Sequence, residues 1–260
     1  MTSQPLDILP MWAVYPVTAV LLFLVMEAGY RYAKAKNRAA PSRSDGGLST
    51  FTGAILGLLA FLLAFVVAFG MNIYQERRQL VVEEANAIGT TYLRAGYLED
   101  PYRTESRALL GEYLDWRVAA PQEGKLQEAI TRSEEIHREL WALVEEWVAE
   151  GNTAATSGLY VSALNEVIDL HTERVVVSLQ IRIPPMVMLA VYVIALVTMF
   201  LVGLQTGYAG SRNLFAMILM VLVLAAVLYV IVDLDRSQQG LLTVSQQALV
   251  DLQAGLPTLP

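Results

Sequence analysis

Residues 51–94 read FTGAILGLLAFLLAFVVAFGMNIYQERRQLVVEEANAIGTTYLR, and no Asp, Glu, Lys or Arg occurs between Asp45 and Glu76. An uncharged apolar run of this length can cross a hydrocarbon core of about 30 Å as one helix. In lipid each backbone amide must be satisfied inside the segment, so such a run is helical unless it closes a barrel. The two-residue alternation of a barrel strand is missing here. Nothing interrupts the pattern between Met71 and Leu93, so the stretch predicts a single long helix that leaves the membrane and continues into a polar domain.

Three further charge-free gaps lie between Asp7 and Glu27, between Arg182 and Arg212, and between Arg212 and Asp233. They predict an all-α integral membrane protein with four spans, near 11–31, 51–74, 186–205 and 213–232. The composition agrees: of 260 residues, 55% are hydrophobic and 17% charged, where a soluble domain has about a quarter charged. The first span is read as a retained helix. Met1 to Pro10 carries no basic residue, the apolar run is long, and no small-x-small cleavage site follows. The chain has no cysteine, which excludes disulfide scaffolds, thiolate metal sites and cysteine nucleophiles.

The spans fall into two pairs. Residues 1–74 hold the first pair, joined by a basic linker over 32–49 whose Pro41, Gly46 and Gly47 mark a turn, with Ser49 and Thr50 placed to cap the second helix. Residues 75–183 are polar, with apolar residues at steps of three and four. Leu109, Leu110, Tyr113, Leu114 and Val118 form one such stripe. Leu126, Ile130, Ile136, Leu140, Val144 and Trp147 form a second, and Leu164, Val167, Ile168, Val175 and Leu179 a third. Pro101, Pro121 and residues 151–158 separate them. With the end of the long helix they predict a four-helix bundle outside the membrane. Residues 184–233 hold the second pair, entered at Pro184-Pro185. Residues 234–260 are too short and broken to span, and are expected to lie on the domain or on a neighbouring subunit.

The second span carries two stripes. Gly53, Gly57, Ala60, Ala64 and Ala68 form a small-residue face suited to close helix packing. Phe61, Phe65 and Phe69 lie one residue on, about 100° around the helix. Around an oligomer axis those rings would form an apolar constriction that gates by dewetting; alternatively they face lipid or other helices. Glu27 is the one acid inside a span and is read as interfacial, paired with Arg31. Asp233 and Asp235 at the end of the fourth span either draw cations to a pore mouth or are held structurally beside Arg236. In the polar domain acids outnumber basic residues. His137 and His171 read as isolated, without zinc-site spacing. No catalytic constellation, phosphate loop or basic nucleic-acid face is recognisable, so neither enzymatic activity, nor a cofactor, nor a metal, nor a nucleic-acid partner is expected.

The stretch Tyr74 to Arg94, together with Leu164-Asn165, Arg182-Ile-Pro184, Gly207-Tyr208 and Leu234-Asp235-Arg236 through Gly240 to Leu252, resembles the signature of the bacterial bestrophin-like membrane proteins. The positions carrying it are Asn72, Tyr74, Arg77, Arg78, Glu84, Asn86, Gly89, Arg94, Asn165, Arg182, Pro184, Asp233, Asp235, Arg236 and Gly240. Gln75 stands where the pattern has Asp, and Gln238 near where it has Pro. True bestrophins are pentameric anion or cation channels. The more distant likeness to them rests on Phe69 to Arg78 and on Gly240. It implies a multi-pass protein of the bacterial inner membrane that assembles as a homo-oligomer, a pentamer by analogy, and passes inorganic ions along the second span. The rival reading is a non-conducting membrane scaffold or regulatory protein whose helical domain binds a partner protein. Positive-inside counting sets Arg31, Lys34, Lys36, Arg38, Arg43 and Arg212 against Arg77, Arg78, Arg174, Arg182 and Arg236. The first set is larger by one residue, which puts the linker in the cytoplasm and the helical domain opposite, whereas in bestrophins the bundle is cytoplasmic.

Overall fold

The computed structural model describes residues 5–39, 47–122, 124–152, 155–210, 212–236 and 240–256, without the side chains of 5, 6, 37–39 and 155–157. Part of the basic linker, including Arg43, and Gln238 therefore lie outside the described residues. After a single 3-10 turn, Pro5–Ile8, the described chain is helical: α1 (Met11–Ala39), α2 (Leu48–Arg94), α3 (Tyr102–Ala119), α4 (Leu126–Ala149), α5 (Ala155–Leu179), α6 (Pro185–Ala209), α7 (Leu214–Asp235) and α8 (Gln247–Gly255), with a 3-10 turn Ala95–Tyr97 closing α2. There is no strand among the described residues.

Four of these helices, α1, α2, α6 and α7, are long and apolar enough to cross a membrane. In α2 the apolar part ends near Tyr74, but the helix continues without interruption to Arg94. The second span and a helix of the polar domain are thus one element, as the unbroken pattern through Met71 to Leu93 predicts.

The chain divides into two compact units, Met1–Tyr74 with Arg182–Thr243, and Gln75–Ile181 with Val244–Pro260. In the first unit α1 packs on α6 and α7, and α2 adds Leu59, Leu63 and Val66 to the shared core. The closest approach is between α1 and α6. A Cβ on Gly203 would overlap the carbonyl of Met26, and one on Gly29 would overlap that of Phe200. On Gly207 it would lie 2.6 Å from the Ala33 Cβ and 2.7 Å from the Tyr30 carbonyl oxygen. Gly203 and Gly207 are four residues apart and present one face, so the two backbones meet where lipid offers no hydrophobic drive and packing must do the work.

The second unit is built from the polar part of α2, α3, α4, α5 and α8. Its core centres on Ile88, Leu110, Tyr113, Leu114, Ile136, Leu140, Tyr160 and Leu164. The C-terminal helix α8 belongs to this core through Leu249, which is fully buried. A Cβ on Gly89 would sit 3.2 Å from Leu252 Cδ1, so α8 packs closely on α2 at this small residue. Gln253 donates to Asp115 at 2.6 Å.

Candidate functional site

Within the first unit, α2 turns Leu59, Leu63, Val66, Gly70 and Ile73 inward at helical spacing. That spacing places both predicted stripes on the remaining surface. Gly53, Gly57, Ala60, Ala64 and Ala68 are all exposed, and a Cβ on Gly53 or Gly57 would meet nothing within 4 Å. Phe61, Phe65 and Phe69 are 69%, 64% and 40% exposed. A single chain therefore covers neither stripe.

The signature residues do several different things. Asn72, Arg78, Asn86 and Asn165 are exposed and Tyr74 is half-buried. Arg77 is buried and donates from Nε to the Val177 carbonyl at 3.2 Å and from Nη2 to the Ile181 carbonyl at 2.9 Å. It thereby satisfies carbonyls that the end of α5 leaves without helical partners. Arg94 donates to the Leu159 carbonyl at 3.0 Å. At the end of the first unit Arg182 bridges Asp7, at 2.6 and 3.0 Å, and Asp235, at 2.9 Å from Nε. Pro184 caps α6 from outside the helix. Asp235 also accepts the Ile183 amide at 2.7 Å, while Arg236 donates to the Leu9 carbonyl at 2.9 Å. Asp233 accepts the amides of Leu241 and Leu242 at 3.0 and 3.1 Å. Gly240, at φ +123°, lies against that carboxylate where any Cβ would overlap it. Both Asp233 and Asp235 are buried and occupied by these bonds, an arrangement that joins the ends of α6 and α7 to the segments around Leu9 and Leu241.

In the second unit the fully buried Glu84 of α2 accepts from Tyr113 Oη at 2.6 Å, from Arg117 Nε at 2.7 Å and from Arg174. Arg174 in turn donates to Gln246, just ahead of α8. Four chain segments are thereby tied through one carboxylate and its arginines. The two histidines are neighbours here, which corrects their reading as isolated: their rings lie 4.9 Å apart, edge to face, with Tyr113 4.8 Å from His137. His171 Nδ1 is 3.3 Å from Tyr113 Oη, and neither Nε2 has a hydrogen-bond partner among the described residues.

The electrostatics follow from that packing. Burial pushes the Glu84 carboxyl up, but Arg117, Arg174 and the Tyr113 hydroxyl outweigh it and hold it at about 2. Burial raises the Tyr113 phenol well above its usual value, with Glu84 adding to the effect, so it remains a donor. Burial and then Arg117 lower His137 to about 4, while burial, Arg117 and His137 lower His171 to about 3. At neutral pH the cluster thus holds one carboxylate, two guanidiniums and two neutral imidazoles. Its signal in the sequence was the placement of charged and polar residues on otherwise apolar stripes: Arg117 four after Tyr113, Arg174 three after His171, and Glu84 between Val81 and Ile88.

The fold is therefore that of a multi-pass, all-α membrane protein in which one spanning helix continues into a polar helical domain. The chain belongs to the Bestrophin-like domain family, whose family model matches residues 13–249. No curated protein and no solved structure matches it.

Proposed function

We propose that the protein is an oligomeric ion channel or pore whose pathway is lined by α2, with Phe61, Phe65 and Phe69 forming an apolar constriction and Gly53, Gly57, Ala60, Ala64 and Ala68 packing on a neighbouring copy. The observation that carries the reading is that both stripes of α2 are uncovered within one chain, although the opposite face of the same helix is buried. Membership of the bestrophin-like family supports the choice of an ion pathway over other membrane functions, and the same membership supports a homo-oligomer, a pentamer by analogy, in the bacterial inner membrane. Residues 75–183, with α8 packed into their core, would supply the walls of a vestibule. A ring of large apolar side chains excludes water when narrow and conducts when widened, so trimming it should raise conductance.

The test is electrical. The purified protein reconstituted into planar bilayers should carry ionic current, and Phe65→Ala should raise it or remove its gating. Absence of current from both proteins, with particles that lack rotational symmetry around α2, would support the non-conducting scaffold instead.

A further inference from the structure

At the end of the first unit where α1 stops and α7 begins, Glu27 accepts from Arg31 Nε at 2.8 Å and from Arg212 Nη2 at 2.8 Å. The Arg212 guanidinium lies over the Tyr30 ring at 4.8 Å, and the Lys34 ammonium approaches the same ring at 5.6 Å. One nearly buried carboxylate and one buried ring thus gather three cations, two from α1 and one from the segment just ahead of α7. Lys36 stands one turn away, 5.7 Å from the exposed Tyr32 ring. The Arg31 side chain remains 78% exposed and that of Arg212 38%. Glu27 therefore orders the guanidiniums without covering them, and among the described residues of this end it is the only acid. The opposite end of the unit differs, since Arg182 and Arg236 are there engaged by Asp7 and Asp235 and by the Leu9 carbonyl.

We propose that Arg31, Lys34 and Arg212 form a binding site for the phosphate of an anionic phospholipid headgroup. The site lies where α1, a 29-residue helix, passes from apolar sequence into basic sequence, which is the depth of a bilayer's headgroups. Guanidiniums bind phosphate oxygens through paired N–H groups, and cations beside a negatively charged leaflet each strengthen attachment. Tyr30 and Tyr32 match the aromatic belt at that depth. The site depends on the four helices being embedded in a bilayer and is independent of whether α2 conducts.

Detergent-purified full-length protein would be equilibrated with mixed micelles of phosphatidylglycerol or phosphatidylcholine with the same acyl chains, and the retained lipid counted by native mass spectrometry. Phosphatidylglycerol should be retained in preference, with the three cations together contributing a factor of about one hundred. The combined variant Arg31→Gln, Lys34→Gln, Arg212→Gln should bring it to the phosphatidylcholine level. Arg31→Gln alone leaves the Glu27–Arg212 pair in place, so it tests the site in a folded protein, and it should reduce the preference about five-fold. Arg78→Gln, an exposed arginine of the other unit, should not change it. Equal retention of the two lipids by the unaltered protein overturns the proposal, as does an unchanged preference in Arg31→Gln. Displacement of phosphatidylglycerol by millimolar inorganic phosphate also overturns it, because it would identify a site for free oxyanions.

Discussion

Glu84 occupies a position that the helical period of α2 reserves for an apolar side chain, and the fold tolerates it because Tyr113, Arg117 and Arg174 surround the carboxylate. Removing the charge leaves two guanidiniums buried with nothing to balance them. Glu84→Gln should therefore destabilise the helical domain by about 3–5 kcal/mol, the cost of breaking a buried ion pair by deleting one partner. Chemical unfolding followed by the fluorescence of Trp116, Trp141 and Trp147 measures it, and an unchanged midpoint would show the network to be dispensable. The histidines give a second prediction. Their protonation is favoured in the unfolded chain, at a pKa of about 6.5, over the folded one, at about 4 and about 3. Their contribution is complete above about pH 6.5 and is lost as pH falls toward about 4 for His137 and about 3 for His171. Near pH 5 the loss is about 2 kcal/mol per histidine. The thermal midpoint should fall between pH 7 and pH 5, and His171→Asn should flatten that slope. Glu84 acts in the same direction at lower pH, since its depressed pKa makes its contribution present above about 4.5 and lost as pH approaches 2.

Two helices carry small-residue faces, and they behave differently. On α6, Gly203 and Gly207 are buried against the α1 backbone; on α2, Gly53 and Gly57 face open space in the single chain. Gly203→Ala forces a methyl group into the Met26 carbonyl and should cost about 1–3 kcal/mol or more of overpacking, seen as a lowered unfolding temperature in detergent. Gly57→Ala should leave that temperature unchanged in the isolated chain, so any effect it has must come from contacts between copies. If both substitutions are equally harmful to an isolated chain, the assignment of these faces is wrong. The α6 face was legible in principle, because two glycines four residues apart in an apolar helix are a known packing pattern. The α5–Arg77 contact was not legible, since it depends on which carbonyls the end of α5 leaves unpaired.

For the whole molecule, the proposed assembly can be tested with the absence of cysteine as an advantage. Ala64→Cys introduces the only thiol in the chain. Oxidation in native membranes should join copies covalently if the small face meets a neighbour near a symmetry axis, whereas a purely monomeric product would exclude that contact. The amino-acid sequence by itself determined the membrane class, the four spans and the continuity of the second span into the polar domain. These follow from long charge-free runs and unbroken helical period, which are local properties of the chain. Only the tertiary structure decided that Glu84, Arg117, Arg174, Tyr113 and the two histidines share one buried cluster, and that Asp233 and Asp235 are engaged in local bonds. It likewise revealed that Glu27 gathers a second arginine from the segment ahead of α7. Periodicity fixes which face of a helix is buried. It carries no information about which distant face will meet it, and the pairing of charges depends on that meeting.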